Sequence, residues 1–278
     1  MTVRSSAFAT VACTYRQRIK SHPMIKKALK AKEYIRPPIT EAVIEVVFAN
    51  EMSSDALKDA AKKLEKNYSN NLPINHFDVR VDVRPDSAGG PKANFNSQKY
   101  GHRLSSADQT EILIIWPKSI AVSQVAPYKG WDSFQKRFNR DYKALKKELG
   151  HRELERIGVR YINRIDIPAA GPIVEHEEYL KIFPKLPNGL TPLTAYAVQA
   201  EIQMPEVGAN LRINSAAVPS PIDDHASFVI DLDFYRLHDL PKTDKALSDY
   251  LGAIRLKKNE VFESLVTNKA RRLFNNAK

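Results

Sequence analysis

Three arginines at fixed spacing are the first residues in this chain that could do chemistry. Arg156, Arg160 and Arg164 recur every fourth position within Arg156-Ile-Gly-Val-Arg-Tyr-Ile-Asn-Arg-Ile-Asp-Ile-Pro168. Ile157, Val159, Tyr161, Ile165 and Ile167 alternate with them, a period of two that predicts a strand. Successive strand side chains point to opposite faces, so the three guanidinium groups share one face, where a row of cations can contact phosphates. The competing reading pairs them across strands with Glu41, Glu45, Asp78, Asp82, Asp231 or Asp233, acids on the polar faces of other predicted strands. Asn163 interrupts the apolar face and reads either as a hydrogen-bonded core amide or as a bend.

Asp231 and Asp233 sit two residues apart on a further predicted strand, which puts their carboxylates about 6–7 Å apart on one face. With Asp78, Asp82 or His76 they form a weak candidate magnesium site for phosphodiester chemistry. The other chemical signatures are missing. The seven histidines show no metal-ligand spacing, and the single Cys13 excludes both an intrachain disulfide and a cysteine zinc site. Gly89-Gly90-Pro91 lacks the Lys-Ser/Thr of a phosphate loop, and no nucleophile elbow, dinucleotide fingerprint or kinase set occurs. No cofactor and no catalytic residue are therefore expected.

A second group of cations lies on a helix predicted from Trp131 to Leu149. Trp131, Phe134, Phe138, Tyr142, Leu145 and Leu149 form its apolar stripe. Lys136, Arg137, Arg140 and Lys143 occupy the remainder, an anion-binding candidate against the plainer reading of a solvated face. Arg255, Lys257, Lys258, Lys269, Arg271 and Arg272 repeat the choice on a long helix predicted from about Thr243 to Phe274, whose stripe is Leu247, Leu251, Ile254, Val261, Phe262 and Leu265.

The elements that must position these residues follow from hydrophobic period. Strands are predicted over Thr40–Ala49, His76–Arg84, Gly101–Trp116 and Ser119–Val125, with a helix from Asp55 to Tyr68 after the capping Ser53/Ser54. The pattern then restarts: a strand Arg156–Pro168, a short helix Glu177–Phe183, and strands Leu193–Met204, Leu211–Val218 and Ser227–Arg236 before the last helix. The order is β-α-β-β-β-α twice, without residue-level repetition. The expected fold class is α+β: two tandem units, 37–152 and 153–278, forming antiparallel sheet with helices on one face, TATA-binding-protein-like or helix-grip-like. Which sheet face is covered stays open.

The charge is uneven. The chain of 278 residues carries a net +11, but residues 1–36 hold nine Lys/Arg against one acid, so the remaining 242 residues carry only +3. Residues 1–36 read as a basic extension, disordered or partly helical, ended by Pro37-Pro38. Three readings of its first 23 residues stand: a start at Met24, a basic arm for nucleic acid or anionic lipid, or a targeting peptide. The longest apolar run, Ile112–Trp116, falls far short of the ~20 residues of a membrane span. A reducing, cytoplasmic setting fits the single cysteine.

Arg36-Pro-Pro-Ile-Thr-Glu-Ala-Val-Ile-Glu45, the arginine strand, and Val261-Phe-Glu-Ser-Leu-Val-Thr-Asn-Lys-Ala-Arg-Arg-Leu-Phe274 together resemble a family of sporadically distributed, uncharacterised prokaryotic proteins of about 250 residues. The resemblance covers roughly residues 34–275, and the third motif is the weakest. It transfers no catalytic residue. What it implies is an accessory gene, such as an anti-phage defence component. The leading expectation is a non-enzymatic binding or sensor protein acting with a protein partner encoded nearby. The alternatives are a nucleic-acid-binding module on the basic sheet face and helices, and a metal-dependent phosphodiesterase on Asp231 and Asp233. An anionic membrane surface and a homo-oligomer stay open as partners.

Overall fold

The computed structural model describes residues 34–82, 92–169, 175–187, 189–190 and 193–275, and of these not the side chains of 76–99. The readings made for residues 1–33 and for Gly89-Gly90-Pro91 lie outside the described residues. Strand β1 (Ile39–Phe48) buries Ala42, Ile44, Val46 and Phe48 and turns Glu41, Val43, Glu45 and Val47 the other way, as its alternation predicts. Helix α1 (Ser54–Glu65) starts where Ser53 accepts a hydrogen bond from the Ala56 amide, and buries Leu57, Ala60, Ala61 and Leu64. The chain then makes β2 (Asn70–Asp82), β3 (Lys92–Ser105), β4 (Glu111–Ile115), β5 (Ser119–Val125) and α2 (Trp131–Leu149). The second half runs β6 (Leu154–Pro168), β7 (Ala197–Met204), β8 (Ala209–Val218), β9 (His225–Arg236), α3 (Asp244–Leu265) and α4 (Asn268–Asn275).

All nine strands join one antiparallel sheet in the order β2-β3-β4-β5-β1-β6-β9-β8-β7. The first strand of each half stands at the centre, and each half adds its last strand next and works backwards to an edge. One apolar core joins the inward residues of β1, β6, β8 and β9 to the buried stripes of the helices. Among the described residues no helix is long and apolar enough to cross a membrane.

Four sequence expectations need correction. The strand expected over Gly101–Trp116 is two strands, because Ser106–Thr110 folds into a turn: the Asp108 carboxylate accepts from the Thr110 amide and from the Ser106 hydroxyl. Asn70-Asn71-Leu-Pro73 does not close α1; it opens β2, whose place at the sheet edge tolerates a proline. The helix expected over Glu177–Phe183 is a single 3₁₀ turn, His176–Glu178. The chain extends immediately after it, and Leu180 forms a β-bridge with Val266.

That bridge also breaks the long C-terminal helix. Val266 is extended, and Thr267 opens α4 by accepting hydrogen bonds from the amides of Lys269 and Ala270. Thr267→Ala is expected to cost about 1 kcal/mol, the usual worth of such a cap, read as a lowered urea midpoint; an unchanged midpoint would mean that the bridge alone holds the break.

Candidate functional site

The three arginines of β6 do share one sheet face, but each is committed to a carboxylate. Arg160 holds Asp231 through two parallel bonds, Nε–Oδ1 2.8 Å and Nη2–Oδ2 2.7 Å. Arg156 bridges Glu45 of β1 at 2.6 Å and Asp233 of β9 at 3.1 Å. It does so by lying across Gly158, where an added Cβ would sit 2.5 Å from its Nη1. Arg164 pairs with Asp166 on its own strand at 3.0 Å. Asn214 of β8 donates to Asp231 at 3.0 Å, and the Tyr235 ring lies beneath both Arg156 and Arg212, while Arg212 pairs with Glu201. Hydrogen bonding to Asp231 raises the Arg160 pKa, whereas burial raises that of Asp233 against the pull of Arg156 and Arg160. A phosphate on this face would have to displace carboxylates already in place.

The metal reading fares no better geometrically. Asp231 is buried under Arg160, and Asp233, partly buried, is held by Arg156. The strand carrying His76, Asp78 and Asp82 is six strand spacings from β9, about 29 Å along the sheet at ~4.8 Å each. Those residues cannot share an ion with Asp231 and Asp233. Among the described residues no group of three or more His, Cys, Asp or Glu is placed to hold a metal.

The four cations of α2 separate. Lys136 and Lys143 are exposed. Arg140 pairs with Asp141 at 2.8 Å and lies over the Tyr68 ring. Arg137 is buried, donating to the carbonyls of Ser123 at 2.6 Å and Ile112 at 3.2 Å. It belongs to the interior and offers nothing to an external anion, a correction to the reading of α2 as one basic face.

The described residues do form a site on the helix side of the sheet. A cleft of about 490 Å³ opens between the segment Tyr34–Ile39, the approach and first turn of α2, β6 and α3. The segment is strapped in place: the Arg36 amide donates to Phe274 of α4, the Arg164 amide to Pro38, and the Tyr34 hydroxyl to Glu263. Its aromatic lining comes from Tyr34, Tyr128, Trp131, Tyr161 and Phe262, with Tyr128 and Tyr161 edge-to-face at 6.0 Å and their hydroxyls 3.3 Å apart. Burial pushes the Tyr128 phenol up to about 12 and that of Tyr161 well above its usual value. Asn163 lines the cleft as a hydrogen-bonded core amide, donating to the Ile230 carbonyl at 3.0 Å.

Lys258 decides what this cleft can do. It is 9 % exposed, on the buried face of α3, with Nζ 4.2 Å from the centre of the Tyr161 ring. Among the described residues no hydrogen-bond acceptor and no carboxylate partners it. Glu263, five residues on along α3, is taken by Arg271 at 2.7 Å and by Tyr34, while Asp132 pairs with Arg255 at 3.6 Å. Desolvation, with a smaller push from Arg255, lowers the Lys258 ammonium to about 8. Buried charges are normally paired, so an unpaired one beside a cleft is a functional-site signal.

No family model matches the chain, and no curated protein matches it.

Sequence reasoning left Lys258 in a group of helix cations that could be either a solvated face or an anion-binding surface, and did not single out Tyr128, Trp131 or Tyr161 as site residues. The signal for Lys258 was present: position 258 is four residues after Ile254 and three before Val261, inside the apolar stripe.

Proposed function

We propose that this chain is a non-enzymatic binding protein of the sensor type, with its ligand site in the cleft between α2 and α3. The carrying observation is the buried ammonium of Lys258, which rests on the Tyr161 ring and has no carboxylate partner among the described residues, so that a bound anion would complete it. The finer fold reading, a TATA-binding-protein-like or helix-grip-like pair of units, is supported by the central β1/β6 pair and the matching outward order of each half. On this reading the helix side takes the ligand and the charged sheet face, with its arginines internally paired, is structural. Action with a protein partner encoded nearby, as in anti-phage defence, remains the wider setting we favour, resting on the family resemblance alone.

The test is thermal denaturation of the full chain against a library of anionic and neutral small molecules. Binding to the folded state at a hundred times Kd adds about 2.7 kcal/mol and raises Tm. Stabilisation by anionic compounds that is lost in Lys258→Met is expected. A library without any stabilising compound, or a stabilising compound that the protein converts to product, would overturn the reading.

A further inference from the structure

We propose that the ligand of this cleft is an aromatic anion, a planar ring carrying a carboxylate or phosphate, with its acid group held by Lys258 and the first turn of α2 and its ring against Tyr128 and Trp131. The inference rests on the cleft being a small-molecule site and adds the chemistry of the occupant.

The sign of the charge comes from two independent features. Lys258 is more than nine-tenths buried, lines the cleft and has no carboxylate at salt-bridge distance among the described residues: Glu263, which acts on it only from farther off, is bonded to Arg271, and Asp132 pairs with Arg255. The cleft is also lined by Gly130, Trp131, Asp132 and Ser133, the start of the 19-residue helix α2. Gly130 has a φ of 94° and no side chain to cap the helix, so the first-turn amides receive no side-chain acceptor from the N-cap. Such amides carry the positive end of the helix dipole and favour an anion.

The aromatic part comes from the walls and the volume. About 490 Å³ lies in the usual range for small-molecule sites and far exceeds what one phosphate fills. Two of the wall rings meet edge-to-face, Tyr128 and Tyr161 at 6.0 Å, and the buried Phe134 backs Tyr128 at 6.2 Å and Trp131 at 6.3 Å from behind the wall. A flat ring extends that packing, whereas an aliphatic polyanion would place charge against it.

The chain has two tryptophans, so a Trp116→Phe background leaves Trp131 as the sole indole and a direct reporter of the cleft. Fluorescence titration of that full-length protein uses four probes: adenosine 5′-monophosphate, 4-hydroxybenzoate, adenosine and inorganic phosphate. The two aromatic anions distinguish a phosphate head from a carboxylate head. At least one should bind ten times more tightly than adenosine and phosphate, and Lys258→Met should weaken it at least tenfold without changing adenosine binding. Adenosine or phosphate binding as tightly as both aromatic anions overturns the aromatic-anion assignment while leaving a small-molecule cleft intact. So does an affinity indifferent to Lys258→Met. Absence of binding by all four probes overturns it too, and only a failed library screen removes the cleft itself.

Discussion

Lys258→Met should make the protein more stable, by roughly 3 kcal/mol at pH 7, while removing its ligand affinity. The ammonium falls from an ordinary 10.5 to about 8 on folding, chiefly because burial strips its water. At about 1.4 kcal/mol per pH unit, that difference gives the cost of keeping the charge in the fold. Methionine keeps the unbranched stem against the Tyr161 ring and needs no partner. A substitution that stabilises and disables together marks a residue retained for binding.

The pH dependence separates this cost from a general packing gain. Between about pH 8 and 10.5 the unfolded chain holds a proton on Lys258 that the folded chain has released. Stability should therefore rise with pH across that window, with the full penalty present below it. Buried phenols act in the opposite direction above about pH 10. Tyr128, raised to about 12, and Tyr161 keep protons that the unfolded chain gives up. Urea midpoints from pH 7 to 11 should pass through a maximum near pH 9–10 in the wild type. In Lys258→Met the rise between pH 8 and 10 should vanish and the fall above pH 10 remain. Equal rises in the two proteins, or a less stable variant, would show that the lysine is not held unpaired.

Much of the fold was legible because its strands alternate cleanly. Ala42, Ile44, Val46 and Phe48 of β1 and Phe228, Ile230, Leu232 and Phe234 of β9 could each be assigned a face from period alone. The breaks were harder. Val266 continues the apolar stripe of α3, and the break there is held by a β-bridge to Leu180, 86 positions earlier, together with the Thr267 cap. The candidate site was less legible still. Residue type put Lys258 and Arg137 on outward helix faces, either solvated or anion-binding, although both fall at helical intervals from core residues. Spacing was the better guide here, since a helix face is buried whole and its occasional cation goes in with it. The joining of Tyr34, Tyr128, Tyr161 and Lys258 into one cleft depends on tertiary packing of four separate segments, which no local pattern encodes.

Arg137→Met is the corresponding experiment on a cation that is buried and fully partnered, and its sign should be the reverse. The guanidinium bonds the carbonyls of Ile112 and Ser123, reaches Gln124 and the Tyr68 hydroxyl at 3.5 Å, and lies 3.8 Å from Glu111. Tyr68 in turn donates to the buried carboxylate of Asp141 at 2.6 Å. Methionine would occupy the stem but leave the two buried carbonyls unanswered and take from the Tyr68 hydroxyl the cation beside it, while Asp141 keeps Arg140. Breaking one member of such a buried network typically costs about 3–5 kcal/mol. Lys136→Met and Lys143→Met, on the exposed side of the same helix, should stay within about 0.5 kcal/mol of the wild type. Urea denaturation of the three variants decides the matter. If Arg137→Met matched the two lysine variants, the guanidinium would be solvated, and α2 would regain the continuous basic face that an external polyanion requires. If it fell by several kcal/mol alone, the charge count of α2 would overstate what the helix presents to solvent. The cation of the helix layer that is both buried and without a carboxylate partner among the described residues would then be Lys258.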